Sequence, residues 1–135
     1  MSAQEKKALS NRIAQAISEG DLDALDDLMA PELAEEFKRD LAEIRQAFPD
    51  YAGTNVDQIA EGEKVANRFV FLGTHLGEFE GVAPTGKRVE FLGHSIDRVV
   101  EGKIVESWVE VDMLGVMEQL GALPKPGQSE EASST

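Results

Sequence analysis

The residues available for chemistry in this 135-residue chain are mostly carboxylates, joined by two histidines, His75 and His94, and no cysteine. Disulfides, thiolate metal sites and cysteine nucleophiles are therefore excluded together, and no metal centre is expected from so few histidines. A carboxylate held in an apolar pocket can remove the acidic α-proton of a β-dicarbonyl compound and return a proton to the alkoxide that forms. Burial disfavours its charged form and raises its pKa toward working pH, which suits both steps. Asp112, in "SWVEVDMLGVMEQLG", is the first candidate. It stands where strand-like alternation gives way to a helical pattern, so it can equally be the N-cap of that helix, a role worth ~1 kcal/mol. The two-residue period places it on one face with Ile104, Glu106, Trp108 and Glu110.

Other side chains have comparable alternatives. His75 shares a strand face with Asn67, Phe69 and Phe71, and could hydrogen-bond a substrate carbonyl or hold an enolate oxygen; otherwise it is a strand-end histidine bonded to backbone or water. His94 follows a glycine that can mark a bulge and reverse the parity of the strand, so its face is open. Trp108 reads as core or as a pocket wall. Asp97 and Arg98 read as a surface ion pair. The loop "GEFEGVAPTGK" has glycines but lacks the lysine–serine ending of a phosphate loop, so nucleotide binding is not expected.

The elements that must position these residues fall into two groups. "QEKKALSNRIAQAISEGD" has Leu9, Ile13, Ala16 and Ile17 at helical spacing and Gly20 as its stop. "DLDALDDLMA" predicts a short helix started by Asp21. "PELAEEFKRDLAEIRQAF" predicts a longer amphipathic one with Leu33, Phe37, Leu41, Ile44 and Phe48 on its apolar stripe. After Pro49 the period drops to two. "NVDQIAEGEKVANRFVFLGTH" predicts two strands joined at "EGE", and "RVEFLGHSIDRVV" with "KIVESWVEVD" predicts an antiparallel hairpin around "EGK". A last helix, "MLGVMEQLG", precedes a polar, proline-bearing tail. Helices followed by a meander of long strands indicate the α+β class, with one domain over 1–123 and a tail over 124–135.

Composition narrows the partners. Twenty-six acidic residues against 13 basic ones give a formal net charge of −13, which repels phosphate backbones and anionic lipid, so neither nucleic acid nor membrane is an expected partner. With no long apolar run and no basic, apolar leader, a soluble, cytoplasmic protein is expected. Such acidity serves solubility; it also fits a high-salt habitat, where stability would rise steeply between low and molar salt.

Several motifs in order, "FPD", "GTHLGEFEG", "PTGK", "EGKIVESW" and the aspartate followed by "QLG", make the stretch from Phe48 to Leu123 similar to the SnoaL-like polyketide cyclases, also called ester cyclases. This resemblance implies a nuclear-transport-factor-two-like fold: N-terminal helices packed in a strongly curved antiparallel sheet that forms a cone-shaped pocket, usually as a homodimer. It also implies acid/base aldol closure of a polyketide ester without metal or cofactor. Aligned through "GKI" and "QLG", the family's catalytic aspartate falls on Asp112, with His75 at a matching pocket position and His94 beside one. His94, Trp108, Phe71, Phe69 and Asn67 then become the expected contacts to a small hydrophobic or ester-bearing ligand. The family's longer insert between the second helix and "FPD" is shortened here. A ketosteroid-isomerase-like or dehydratase reaction would use the same carboxylate, and a non-catalytic ligand-binding or dimeric interaction module would use the fold alone.

Overall fold

The computed structural model describes residues 1–122, so the tail expected over 124–135 lies outside the described residues. Helix α1 (Ala3–Glu19) begins in a capping box, in which the Ser2 hydroxyl accepts from the Glu5 amide and the Glu5 carboxylate from the Ser2 amide. It ends at Gly20, whose φ of 72° gives the left-handed turn that a side chain would resist. The next amide, that of Asp21, is taken by the Ala16 carbonyl. Asp21 therefore belongs to the closing turn of α1, and its side chain caps nothing, contrary to the expected role. A 3-10 turn (Leu22–Ala24) and a single-turn helix α2 (Leu25–Leu28) come next. Helix α3 (Pro31–Ala47) starts at its proline, as its sequence predicts.

Strands β1 (Ala52–Glu61), β2 (Lys64–Thr74), β3 (Arg88–Val100) and β4 (Lys103–Val111) form one antiparallel sheet in sequence order, and α4 (Met113–Gln119) follows. The sheet is curved and open, with α1 and α3 packed in its concave side, an α+β arrangement of the kind the resemblance implies. Helix α1 lies along β1, and the link between α2 and α3 docks on the start of β4, where the Ala30 amide donates to the Ile104 carbonyl at 2.8 Å. The Arg45 guanidinium ties these parts together by donating to the carbonyls of Ile17, Pro49 and Tyr51.

The concave face of β2 and β3 follows strict alternation. Val65, Asn67, Phe69, Phe71, Gly73 and His75 point inward from one chain segment, and Val89, Phe91, Gly93, Ser95, Asp97 and Val99 from the other. Gly93 is needed for a close approach: a Cβ there would stand 2.5 Å from the Phe69 ring and from the Glu110 carbonyl. It marks no bulge, since β2 and β3 stay in register throughout.

The edge strands do break register, once each. In β1 the pairing jumps from Asn55 opposite Phe69 to Asp57 opposite Arg68, leaving Val56 as an extra residue. In β4 it jumps from Ile104 opposite Val99 to Glu106 opposite Arg98, leaving Val105 as the extra one. Each bulge reverses the faces beyond it. Ile104 is buried inside, yet Ser107 also turns inward and Trp108 outward. Of the five residues expected on one face, Glu106, Trp108, Glu110 and Asp112 do lie together on the outer, convex side, and the bulge turns Ile104 alone to the inside.

Candidate functional site

Between the concave sheet and the helices α1 and α3 is a cavity of about 240 Å³. Ile13, Ala14 and Ile17 of α1, Phe37, Leu41 and Ile44 of α3, and Tyr51, Phe69 and Phe71 supply an apolar and aromatic lining. Tyr51 stacks on Phe71 with ring centroids 4.9 Å apart. The stripe that the sequence assigns to α3 thus covers the cavity without filling it. Exposed Asp40 on α3 and Val109 on β4 also line it, so on that side it reaches solvent.

The polar part of the lining is concentrated around one carboxylate. Asp97, only 6% exposed, accepts from the Ser107 hydroxyl at 2.7 Å on Oδ1, and from the Ser10 hydroxyl at 2.8 Å and the Asn67 amide at 3.0 Å on Oδ2. These donors come from β4, α1 and β2, so the site exists only when the helix is docked on the sheet. Burial pushes the Asp97 carboxyl above the usual carboxylate range, and the hydrogen bonds from Ser107, Ser10 and Asn67 pull against that rise. Oδ1, with a single donor, keeps a lone pair for a further proton. Ser95 accepts from the second N–H of Asn67 at 3.1 Å and also lines the cavity, with its own hydroxyl hydrogen free to donate. No lysine or arginine lines this cavity among the described residues.

The residues singled out from the sequence separate into three places. Asn67, Phe69 and Phe71 line the cavity. His75 lies fully buried behind it, its ring stacked on Phe48 at 5.4 Å. Its Nδ1 accepts from the Thr85 amide at 3.1 Å and meets the Thr85 hydroxyl at 2.9 Å, which places the imidazole proton on Nε2; that nitrogen has no partner among the described residues. His94, Trp108 and Asp112 are outside. His94 is exposed on the convex face between Arg68 and Glu110. Trp108, 49% exposed, lies on the same convex face with the Lys64 ammonium 5.5 Å from its ring. Asp112 is the N-cap of α4, accepting from the Gly115 amide at 2.8 Å, and it borders a groove on the convex face.

Asp97 and Arg98 are not an ion pair. Arg98 points outward to Glu106 and Glu63, while Asp97 points into the cavity. The signal for Asp97 is present in "RVEFLGHSIDRVV", where it occupies the parity of Val89, Phe91 and Val99; a carboxylate at an apolar position is the informative exception. Ser10 gives no such sign, because serine on a helix facing inward is ordinary. Among the described residues, no three of His, Asp or Glu are grouped to hold a metal ion, and no helix is long and apolar enough to cross a membrane.

Residues 7–120 match the family described as SnoaL-like polyketide cyclase. The chain belongs to that family. Among solved structures, AclR of Streptomyces galilaeus, a proposed hydroxylase, is 32% identical with a TM-score of 0.84, over 98% of this chain and 92% of AclR. TsrD of Streptomyces laurentii is 26% identical, also at a TM-score of 0.84, over 91% and 99% of the two chains. IdmH of Streptomyces antibioticus, a proposed polyketide cyclase, is 32% identical at a TM-score of 0.74, over 81% and 93%. Comparison with curated proteins returns no match. Membership in the SnoaL-like family, with relatives of cyclase and hydroxylase description, supports a small-molecule enzyme role.

Proposed function

We propose that this SnoaL-like protein is a small-molecule enzyme in which Asp97, rather than Asp112, is the general acid/base acting on an uncharged ketone or ester with an acidic C–H. The observation that carries this reading is the placement of a buried, hydrogen-bonded carboxylate in an apolar cavity that also holds a free hydroxyl donor. The Asp97 carboxylate takes the α-proton on Oδ1 and an enolate forms, its oxygen accepting from the Ser95 hydroxyl. In an aldol-type closure the enolate carbon then attacks a second carbonyl carbon of the same molecule. The resulting alkoxide takes back the proton that Asp97 removed. In an isomerisation the proton returns to a different carbon. Phe69, Phe71 and Tyr51 form an aromatic, apolar wall suited to a ring, and the lack of a cation among the described lining residues disfavours free acids and phosphates.

The reading also includes a homodimer joined through the convex face. Leu92, Ile96 and Trp108 are exposed there, beside Lys64, Arg68 and Arg98 interspersed with Glu106 and Glu110. In a chain of net charge −13, this face combines apolar surface with charges of both signs, so two copies can meet on it without strong repulsion.

Proton abstraction is testable without the natural substrate. Cyclic β-keto esters in D2O should exchange their α-hydrogen faster with the protein present, by NMR, and Asp97→Asn should lower that acceleration by ~10²–10⁴ while leaving the ester bound. Binding without any acceleration by the unaltered chain would make it a ligand-binding module. Acceleration that survives Asp97→Asn would remove Asp97 from the mechanism.

A further inference from the structure

Behind Asp97 runs a row of side-chain amides that reaches the surface of α1. Gln58 of β1 lies opposite Asn67 in the sheet register and donates from Nε2 to the Asn67 Oδ1 at 2.8 Å. The same Nε2 donates to the backbone carbonyl of Lys7 at 3.1 Å. Farther out, Asn11 donates to the Gln58 Oε1 at 3.1 Å, and Asn55 donates to the Asn11 Oδ1 at 3.0 Å. The bulge at Val56 makes this possible, since it turns both Asn55 and Gln58 toward α1 although they are three residues apart.

An asparagine amide can sit either way round, and its two orientations present opposite groups to a neighbour. With Nδ2 toward Asp97, Asn67 donates to the carboxylate and favours its charged, proton-accepting form. Turned over, it would set Oδ1 against Asp97 Oδ2, an arrangement that suits only a protonated carboxyl. Ser95 cannot decide between them, because a hydroxyl donates or accepts as required. The Lys7 carbonyl can decide, because it only accepts. It fixes which end of Gln58 is the NH2, Gln58 then requires the Asn67 oxygen, and the Asn67 NH2 is left facing Asp97.

We propose that Gln58 is a positioning residue for the site, holding the Asn67 amide with its NH2 toward Asp97, and that the backbone carbonyl of Lys7 sets the polarity of the row. The proposal rests on the reading of Asp97 as the proton-transfer group, but it concerns the orientation of Asn67 and is tested without turnover. Gln58 is half-buried on an edge strand, so its replacement leaves the core intact.

The experiment is a pH titration of the full chain carrying ¹³C-labelled aspartate carboxyls, with the Asp97 signal assigned by its loss in Asp97→Asn. Gln58→Leu removes the lock, and Gln58→Asn retains an amide too short to reach both Lys7 and Asn67. In both, the Asp97 midpoint should rise by about one pH unit, a roughly tenfold gain in proton affinity, while that of Asp50, an exposed carboxylate that accepts from the Thr74 amide and hydroxyl, stays in place. A midpoint within about 0.2 units of the unaltered chain, in whichever variant is folded, would overturn the proposal. Should the midpoint rise while α-hydrogen exchange survives Asp97→Asn, the positioning role stands and the catalytic reading falls.

Discussion

Asp97 and Arg98 are adjacent in the chain and face opposite sides of the sheet: the carboxylate accepts from Ser107 at 2.7 Å inside the cavity, while the guanidinium pairs with Glu106 and Glu63 outside. The nearest cation along the chain is thereby turned away from the carboxylate. Neutral hydroxyls and an amide stabilise Asp97 in place of an arginine, and these leave it able to bind a proton where a guanidinium would hold it ionised.

That arrangement has a consequence for stability. Burial raises the Asp97 pKa above its unfolded value of about 3.9, so between the unfolded and folded midpoints the native protein holds a proton that the unfolded chain releases. The stabilisation is fully present below the unfolded pKa and is lost as pH rises through the folded pKa. Asp97→Asn has no charge to bury, so its Tm relative to the unaltered chain should climb from about pH 4 and level off above the folded midpoint. Thermal denaturation across pH measures the difference, and a difference independent of pH would show that the Asp97 pKa is not raised.

Asp112 should behave as a cap. Asp112→Ala removes the acceptor for the Gly115 amide and should cost ~1 kcal/mol in urea denaturation, with Asp112→Asn costing much less. Neither change should alter α-hydrogen exchange. A folded Asp112→Asn chain that had lost exchange would return the acid/base role to this residue.

Gly93 couples packing to the cavity. The Cβ of Gly93→Ala would meet the Phe69 ring and the Glu110 carbonyl at 2.5 Å each. The ring must move into the cavity or the strands must part, at a cost of about 1–3 kcal/mol, and binding of a ring-bearing ester should weaken. Calorimetric titration of the ester against Gly93→Ala checks this; unchanged affinity would mean that Phe69 is not part of the binding wall.

The convex face should govern association. Trp108→Glu puts a charge into its exposed apolar patch, and light scattering should then report a monomer where the unaltered chain gives a dimer. Since Trp108 is the chain's single tryptophan, its fluorescence should follow dilution and ignore a ligand in the cavity. A dimer that persists in Trp108→Glu would place the interface elsewhere.

Local periodicity and turn chemistry are legible in the residues alone. The helix over Ala3–Glu19 with its stop at Gly20, the proline start of α3, the four strands and their hairpins, and the inward set Asn67, Phe69, Phe71 and His75 all arise from periods of 3.6 and 2. Which carboxylate shares the cavity is not legible there, because it depends on bulges and on contacts distant in the chain. A bulge adds one residue without any strong sequence mark, and those at Val56 and Val105 reverse the faces beyond them, sending Ser107 inward and Trp108 outward and aligning Gln58 with Asn67. And the partners of Asp97 are far apart in sequence: Ser10 is 87 residues away and Asn67 is 30, so their convergence depends on α1 docking across the sheet, a contact no local pattern contains.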